Sequence, residues 1–580
     1  MRPSVITVAV LFVQSTWASF SFGNPTSMRN KAHTNDLVNS KGKPLVGRFL
    51  HITDMHPDIY YEKGSTVDHY CHSYDHNSDD TPLGKSKVGY LSPGPGYECD
   101  SSPALIDKTL EWLKEHQDDV LGGIDFILWT GDNSRHDNDN HFPRTQSEIL
   151  ASNEDLVNKM IEAFPDVPIV SAIGNNDIYP HNIMEAGPSS MTRQLAGAWD
   201  ALIPYEERHT FEKGSYYLCD VIPDKLAAIS INTLYLSNKN AAVDGCPDDN
   251  LDEPGSLFMR WFKIQLEAYR LKGMKVWLLG HIPPTRGQWY EDCYTSFTDL
   301  LYEFRDIIVG QLYGHMNINH FVFLEFDKLP VDTESYGIKS AQPKYVKSLI
   351  DAQYAELPTF PENLTEEFLN GTVGNYSLAT VGGSIIPEMF PTFRVYEYNI
   401  SDIANQLDDR EELTEITSFN WETLEEQSQS DYEIDKKKKK KKKNNKKKKK
   451  NKRKNIKPGP LGPAYVPSLF TPISFKQYFL NTSNYMDATK DTEISYELLY
   501  TSKDSPYNMP DLTVPEYMRL AKRIATCDKP EDPHQFKLQS GDQNTFRISK
   551  KKKPSICPIA YTYLWHAYIG SISDFEDSDD

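Results

Sequence analysis

The 580-residue sequence predicts an α/β fold, with helices packed over sheets, from two recurring patterns and one regularity in how they end. Short continuous apolar runs, rich in β-branched and aromatic residues, recur along the first 320 positions, and runs of that length suit strands buried on both faces. Between them lie stretches with apolar residues at helical spacing. Nearly every apolar run stops at a polar knot of Asp, Asn or His. Hydrophobic residues make up 39% of the chain and aromatics 12%, enough for a large core.

In chain order, the first element is a targeting segment, residues 1–18. Arg2 forms a short basic region, Val5 to Val13 an apolar run, and Thr16-Trp17-Ala18 a small-x-small cleavage signal. The run is shorter than the roughly 20 residues of a membrane span. It reads as a cleaved signal peptide first and an uncleaved signal anchor second, and either delivers the body to the secretory pathway. Strands are expected within 48–56, 125–137, 168–177, 227–235, 275–284 and 306–317. A helix is expected over 102–116, with Ser102 as N-cap, Pro103 at the first helical position, and Leu105, Ile106, Leu110, Trp112 and Leu113 on its apolar side. A second, 255–272, repeats the pattern with Phe258, Trp261, Phe262, Ile264, Gln265 and Tyr269.

These elements define a catalytic-size domain over 45–400, followed by an acidic then Lys-rich disordered insertion (403–457), a helical extension (458–565) and an acidic tail (566–580). Formal charge is −20, yet residues 436–457 alone carry 17 Lys and Arg, so the rest stands at −37. A body that acidic argues against nucleic acid as a partner. The lysine block reads either as a grip on a polyanion or as a solvated spacer, the favoured reading, and as a protease target between globular parts.

Sequons at Asn363, Asn370, Asn375, Asn399 and Asn481 fit a lumenal glycoprotein. Seven cysteines without a C-x-x-C pair favour disulfides over zinc. Spacing does not fix their pairing; the neighbouring pairs Cys71 with Cys99, Cys246 with Cys293 and Cys527 with Cys557 are the expectation, with one thiol left over.

The chemistry lies in the polar knots. Five strands end in ligand-type residues: Asp54 and His56; Asp132, with His136 nearby; Asn175 and Asp177; His281; His315 and Asn317. One Asp or His after a strand is ordinarily a turn residue, but five in series point to a shared site at the strand ends. Asp54 and His56, at i and i+2, can face the same way. A set of this kind suits two divalent cations about 3.5 to 4 Å apart, which need a shared carboxylate and several O and N donors to activate water and stabilise charge at phosphorus.

These residues, read in order as "DMH" (54–56), "GD" (131–132), "GNN" (174–176), "GH" (280–281) and "GHMN" (314–317), resemble the calcineurin-like metallophosphoesterases. Within that superfamily, "GRFLHITDMHPDIYY", "GDNSRHD", "GNNDIYPHN" and "GHMNINHF" are similar to the fungal vacuolar endopolyphosphatases, relatives of acid sphingomyelinase. The resemblance implies a β-sandwich flanked by helices and a two-cation site. Asp132 would bridge, Asp54, His56 and Asn317 would hold the first ion, and Asn175, His281 and His315 the second. It leaves the ions open among Mn, Mg, Zn and Co. It also implies a protein on the lumenal side of the vacuole, in some relatives held by a single-pass type II anchor and matured by vacuolar proteases.

Two positions depart from the superfamily pattern. Asn176 stands where a histidine would face the leaving group, and Asn317 where a last histidine would bind metal. An ester expels a strongly basic alkoxide that needs a general acid, whereas a phosphoanhydride expels phosphate, whose second pKa is about 6. An anhydride therefore suits this site, and the resemblance implies hydrolysis of internal bonds of inorganic polyphosphate. His136 is expected as proton donor or phosphate contact, Arg135 as phosphate clamp, and Asn176 beside the reacting group. The alternatives are a phosphodiesterase for sphingomyelin-like lipids or nucleotides, and a silent polyphosphate-binding protein.

Overall fold

Two six-stranded sheets face each other, and the contact between them is aromatic. Phe49 of β1 (Val46–Ile52) stacks on Phe126 and Tyr396 at 4.9 Å within its own sheet and meets Trp277 of the other sheet edge-on at 5.0 Å. The computed structural model describes residues 46–73, 88–326, 371, 373–401, 456–525 and 558–567. The targeting segment, nearly all of the Lys-rich insertion, Cys527, Cys557 and the tail beyond residue 567 lie outside them.

The first sheet runs β12-β11-β10-β1-β2-β3, where β2 is Phe126–Trp129, β3 Ile169–Ser171, β10 Thr392–Asn399, β11 Pro472–Phe479 and β12 Glu497–Thr501. The second runs β4-β5-β6-β7-β9-β8, with β4 Tyr217–Ile222, β5 Leu226–Ser230, β6 Lys275–Leu279, β7 Ile308–Tyr313, β8 His320–Glu325 and β9 Tyr376–Val381. In each sheet the core strands are parallel: β1, β2 and β3 in one, β5, β6, β7 and β9 in the other. All six expected strands fall on these parallel strands. Parallel neighbours need a crossover, supplied by helices α1 (Pro103–His116), α2 (Gln146–Ala163), α5 (Pro254–Leu271) and α6 (Glu291–Glu303); α3 (Ser190–Ala198) and α4 (Arg208–Gly214) lie between β3 and β4.

Helix α1 starts as its sequence requires: the Ser102 hydroxyl accepts from the Leu105 N–H, and Leu105, Ile106, Leu110, Trp112 and Leu113 are buried. Helix α5 buries Phe258, Phe262 and Tyr269, but Ile264, expected on that face, is 57% exposed.

The C-terminal segment departs from a purely helical cover. Residues 472–501 first add β11 and β12 as antiparallel strands beside β10, and only then come α7 (Val514–Ala525) and α8 (Pro558–Ala567). Tyr517 of α7 meets Phe321 edge-on at 4.9 Å, and His566 of α8 stacks on Tyr500 at 4.0 Å. Helix α8 therefore extends past residue 566, where the sequence placed the start of a tail. Disulfides Cys71–Cys99 and Cys246–Cys293 form as expected, and Cys219 is free.

Candidate metal centre

The chain turns sharply after β1, β2 and β7. Asp54 (φ 49°) and His56 (φ 40°) after β1, Asp132 (φ 57°) after β2, and His315 (φ 71°) and Asn317 (φ 56°) after β7 all adopt left-handed backbone. Asp, Asn and His tolerate that region better than other non-glycine residues, and such concentrated strain marks functional loops. Gly131 (φ 92°) makes the close approach: a Cβ there would meet the Ala172 carbonyl at 2.6 Å. Gly174 leaves room for Asp132 itself, since a Cβ would run into the Asp132 carboxylate.

Asp177 answers why a strand should end in Gly174-Asn175-Asn176-Asp177. Its buried carboxylate accepts from the backbone N–H groups of Gly174 (2.8 Å), Asn133 (2.7 Å) and Asp132 (3.1 Å), folding this loop against the Asp132 loop. Burial and the nearby Asp132 charge push its carboxyl up to about 6. With Asp177 inside, Asn176 faces Asp132 and Asn175 faces His281.

Asp132 is the centre of the arrangement. Its ligand atoms share one group with His56 and His136 and a second with His281 and His315, each trio lying within 4.8 Å. The Asp132 carboxylate is 3.4 Å from His56 Nε2 and 3.2 Å from His281 Nε2. Asp54 lies 3.7 Å from His56 Nε2 and accepts the His315 N–H at 3.1 Å. Asn175 Oδ1 is 2.8 Å from His281 Nε2. The far nitrogens of two imidazoles are anchored on carbonyls, His56 Nδ1 on Ser134 and His281 Nδ1 on Thr130, both 2.8 Å, so each turns Nε2 inward.

Electrostatics and unmet hydrogen bonds agree that cations fit here. Burial, the largest influence on each, would lower both imidazoles, but the surrounding carboxylates together outweigh it, Asp132 foremost with Asp54 beside both and Asp100 beside His56, and raise His56 and His281 to about 9. His315, buried next to His281, is pushed down to about 4. The same field that draws protons to these imidazoles draws metal ions. Two buried atoms, His56 Nε2 and Asn317 Oδ1, have no hydrogen-bond partner. Asn317 is held with that oxygen free, because its Nδ2 donates to Glu388 at 3.0 Å.

The other expected residues separate. His136 stacks on His56 at 4.2 Å, with its N–H and Nδ1 on the two oxygens of Asp100 (2.6 and 2.7 Å). Asn176 bonds Asp132 from its backbone N–H and from Nδ2, both 2.8 Å. Arg135 is no phosphate clamp. Its guanidinium is buried and consumed by Glu148 (2.6 Å) and the carbonyls of His136 and Phe142, and it lies over the Tyr60 ring. Standing three residues from Asp132 says nothing of which way a side chain points. His181 Nε2 contacts Asn175 Nδ2 at 2.7 Å, at the rim. His51 is a core histidine on Thr130, and His320 bonds the Ile318 carbonyl, outside the cluster. Reading the sequence missed Asp100, Glu388 and Arg144, which sit on loops without an apolar run to announce them.

Residues 47–318 match the family model described as calcineurin-like phosphoesterase. Over most of its length the chain is also 35% identical to an endopolyphosphatase of Saccharomyces cerevisiae (84% of each chain) and 34% identical to one of Candida glabrata (84% of this chain, 85% of that one). The chain belongs to the endopolyphosphatase family of calcineurin-like phosphoesterases. A sphingomyelinase phosphodiesterase C of Dictyostelium discoideum is 29% identical over 62% of this chain and 71% of its own. Calcineurin-like phosphoesterases are dinuclear metal enzymes, and the two donor groups meeting at Asp132 are what this chain offers such a pair. The two disulfides fit the oxidising lumen of the secretory pathway. Among the described residues no helix is long and apolar enough to cross a membrane.

Proposed function

We propose that the protein cleaves internal phosphoanhydride bonds of inorganic polyphosphate, with Asp132 shared by two divalent cations. The endopolyphosphatase relatives supply the substrate class, and one observation of the site carries the reading: Asn176, a neutral carboxamide locked onto Asp132, stands where an ester substrate would call for an acid. Asp54, His56 and Asn317 would hold one ion; Asn175, His281 and His315 the other. The free Oδ1 of Asn317 and the inward Nε2 atoms of His56 and His281 support that set. Bound cations lower the pKa of water and neutralise charge at phosphorus. An oxygen ligand from Asn317 in place of imidazole suits hard ions such as Mn²⁺ or Mg²⁺.

The chain itself positions and protonates. Asp100 accepts from His136 Nδ1, which leaves Nε2 of a partly exposed imidazole for the substrate, where the ring in its imidazolium form would donate to a phosphate oxygen. A phosphate leaving group, with its second pKa about 6, needs only that much assistance. Delivery to the vacuolar lumen, as a cleaved or anchored glycoprotein open to vacuolar proteases, completes the reading; the disulfides support its lumenal part.

The test is incubation of the glycosylated protein with long-chain polyphosphate, with Mn²⁺, Mg²⁺ or chelator, and separation of the products by gel. Intermediate lengths that appear only with metal are expected. Intact polymer alongside hydrolysis of sphingomyelin or bis(p-nitrophenyl) phosphate would move the activity to the phosphodiesterase reading.

A further inference from the structure

Arg144 lies on the loop between β2 and α2, just before the α2 N-cap Thr145, and is 5% exposed. All of its hydrogen bonds run through one nitrogen: Nη1 donates to the Arg135 carbonyl (2.7 Å), the Asn176 carbonyl (2.9 Å) and Asn176 Oδ1 (3.1 Å). Nε and Nη2 are buried and have no partner. Buried donors on a charged group are costly to leave unmet, and native interiors rarely do so without a ligand. Arg135, nine residues earlier, gives the contrast, since Nε, Nη1 and Nη2 are all bonded to protein. No carboxylate among the described residues is within ion-pair distance of Arg144, although the charges of Asp137, Asp132 and Asp177 all bear on it.

Its position gives those donors a use. Asn176 holds Arg144 with its Oδ1 and Asp132 with its Nδ2, so one side chain separates the guanidinium from the shared carboxylate. The chain outside the Lys-rich block carries −37, and a polyanion entering such a body needs fixed positive charge close to the reacting phosphorus. The Nε and Nη2 donors of a guanidinium form a planar fork that matches two phosphate oxygens.

We infer that Arg144 is a substrate-binding residue whose Nε and Nη2 take the oxygens of a phosphate adjacent to the one at the metal centre. This rests on the condensed-phosphate reading and extends it: the site recognises two consecutive phosphates, the first through its ions and the second through Arg144. A substrate with a single phosphoryl group fills only the first.

The experiment uses the full-length protein with Arg144→Lys and Arg144→Gln, each checked by circular dichroism and thermal melting. Steady-state cleavage of long-chain polyphosphate is combined with calorimetric titration of tripolyphosphate in the presence of Mn²⁺. The expected result is a rise of about tenfold or more in both the polyphosphate KM and the tripolyphosphate Kd, larger for Gln than for Lys. Unchanged KM and Kd with a lowered melting temperature would reduce Arg144 to a strut for Asn176 and overturn the inference. If the wild type cuts no polyphosphate, the activity reading fails by itself; tripolyphosphate binding weakened by both variants would still establish the anion site. Should the variants misfold, a wild-type crystal grown with tripolyphosphate decides. A phosphate oxygen bonded to Nη2 supports the inference, and a bound anion away from Arg144 overturns it.

Discussion

Asp132 is held from four sides: by two imidazoles, the Asn176 amide and, through its N–H, Asp177. Asp132→Asn keeps the shape and removes the shared charge. Turnover of polyphosphate is expected to fall by about three orders of magnitude or more, since the electrostatic stabilisation lost is several kcal/mol, while the melting temperature holds. A finer prediction concerns Glu388, which orients Asn317. Glu388→Ala frees that amide to rotate, and titration with Mn²⁺ should show one of two binding events weakened about 10- to 100-fold. Here the legible and illegible parts of the site divide cleanly. Asp54, His56, Asp132, Asn175, His281 and His315 end apolar runs, so periodicity exposes them. Arg144 and Glu388 reach the site from loops, and only folded coordinates tell Arg144, with two idle donors, from Arg135, with none.

At the scale of the elements, strands buried on both faces were the readable ones, because a continuous apolar run such as Phe126–Trp129 permits little else. The antiparallel additions β10 to β12 were not, because alternating sequences such as "PISFKQYF" take their burial from neighbours far along the chain. Phe49 joins the two sheets, and Phe49→Ala is expected to cost about 3 to 5 kcal/mol in denaturant unfolding. His51, two residues along the same strand, sets an acid limit. Burial, assisted by Arg394, holds it down to about 3, against 6.5 when unfolded. The unfolded state therefore binds the extra proton between those values. The stability this contributes is complete above pH 6.5 and is lost as pH falls toward 3. His51→Gln should flatten that part of a melting-temperature profile taken from pH 7 to pH 4; an unaltered slope would remove His51 as its source.

Over the whole molecule, charge is the unusual quantity: −37 outside one run of 17 positive residues. If that run is a spacer, deletion of residues 436–457 leaves polyphosphate cleavage and its salt dependence unchanged. A large rise in KM that is strongest at low ionic strength would instead make it a polyanion grip. The fold's contribution is to bring loops after five parallel strands of two sheets to one place, so that Asp132 of one sheet meets His281 and His315 of the other. That meeting is the central claim, and anomalous diffraction from crystals grown with Mn²⁺ tests it most directly. Two peaks about 3.5 to 4 Å apart, one on each side of the Asp132 carboxylate, are the predicted result. A single peak, or two that share no ligand at Asp132, would contradict it.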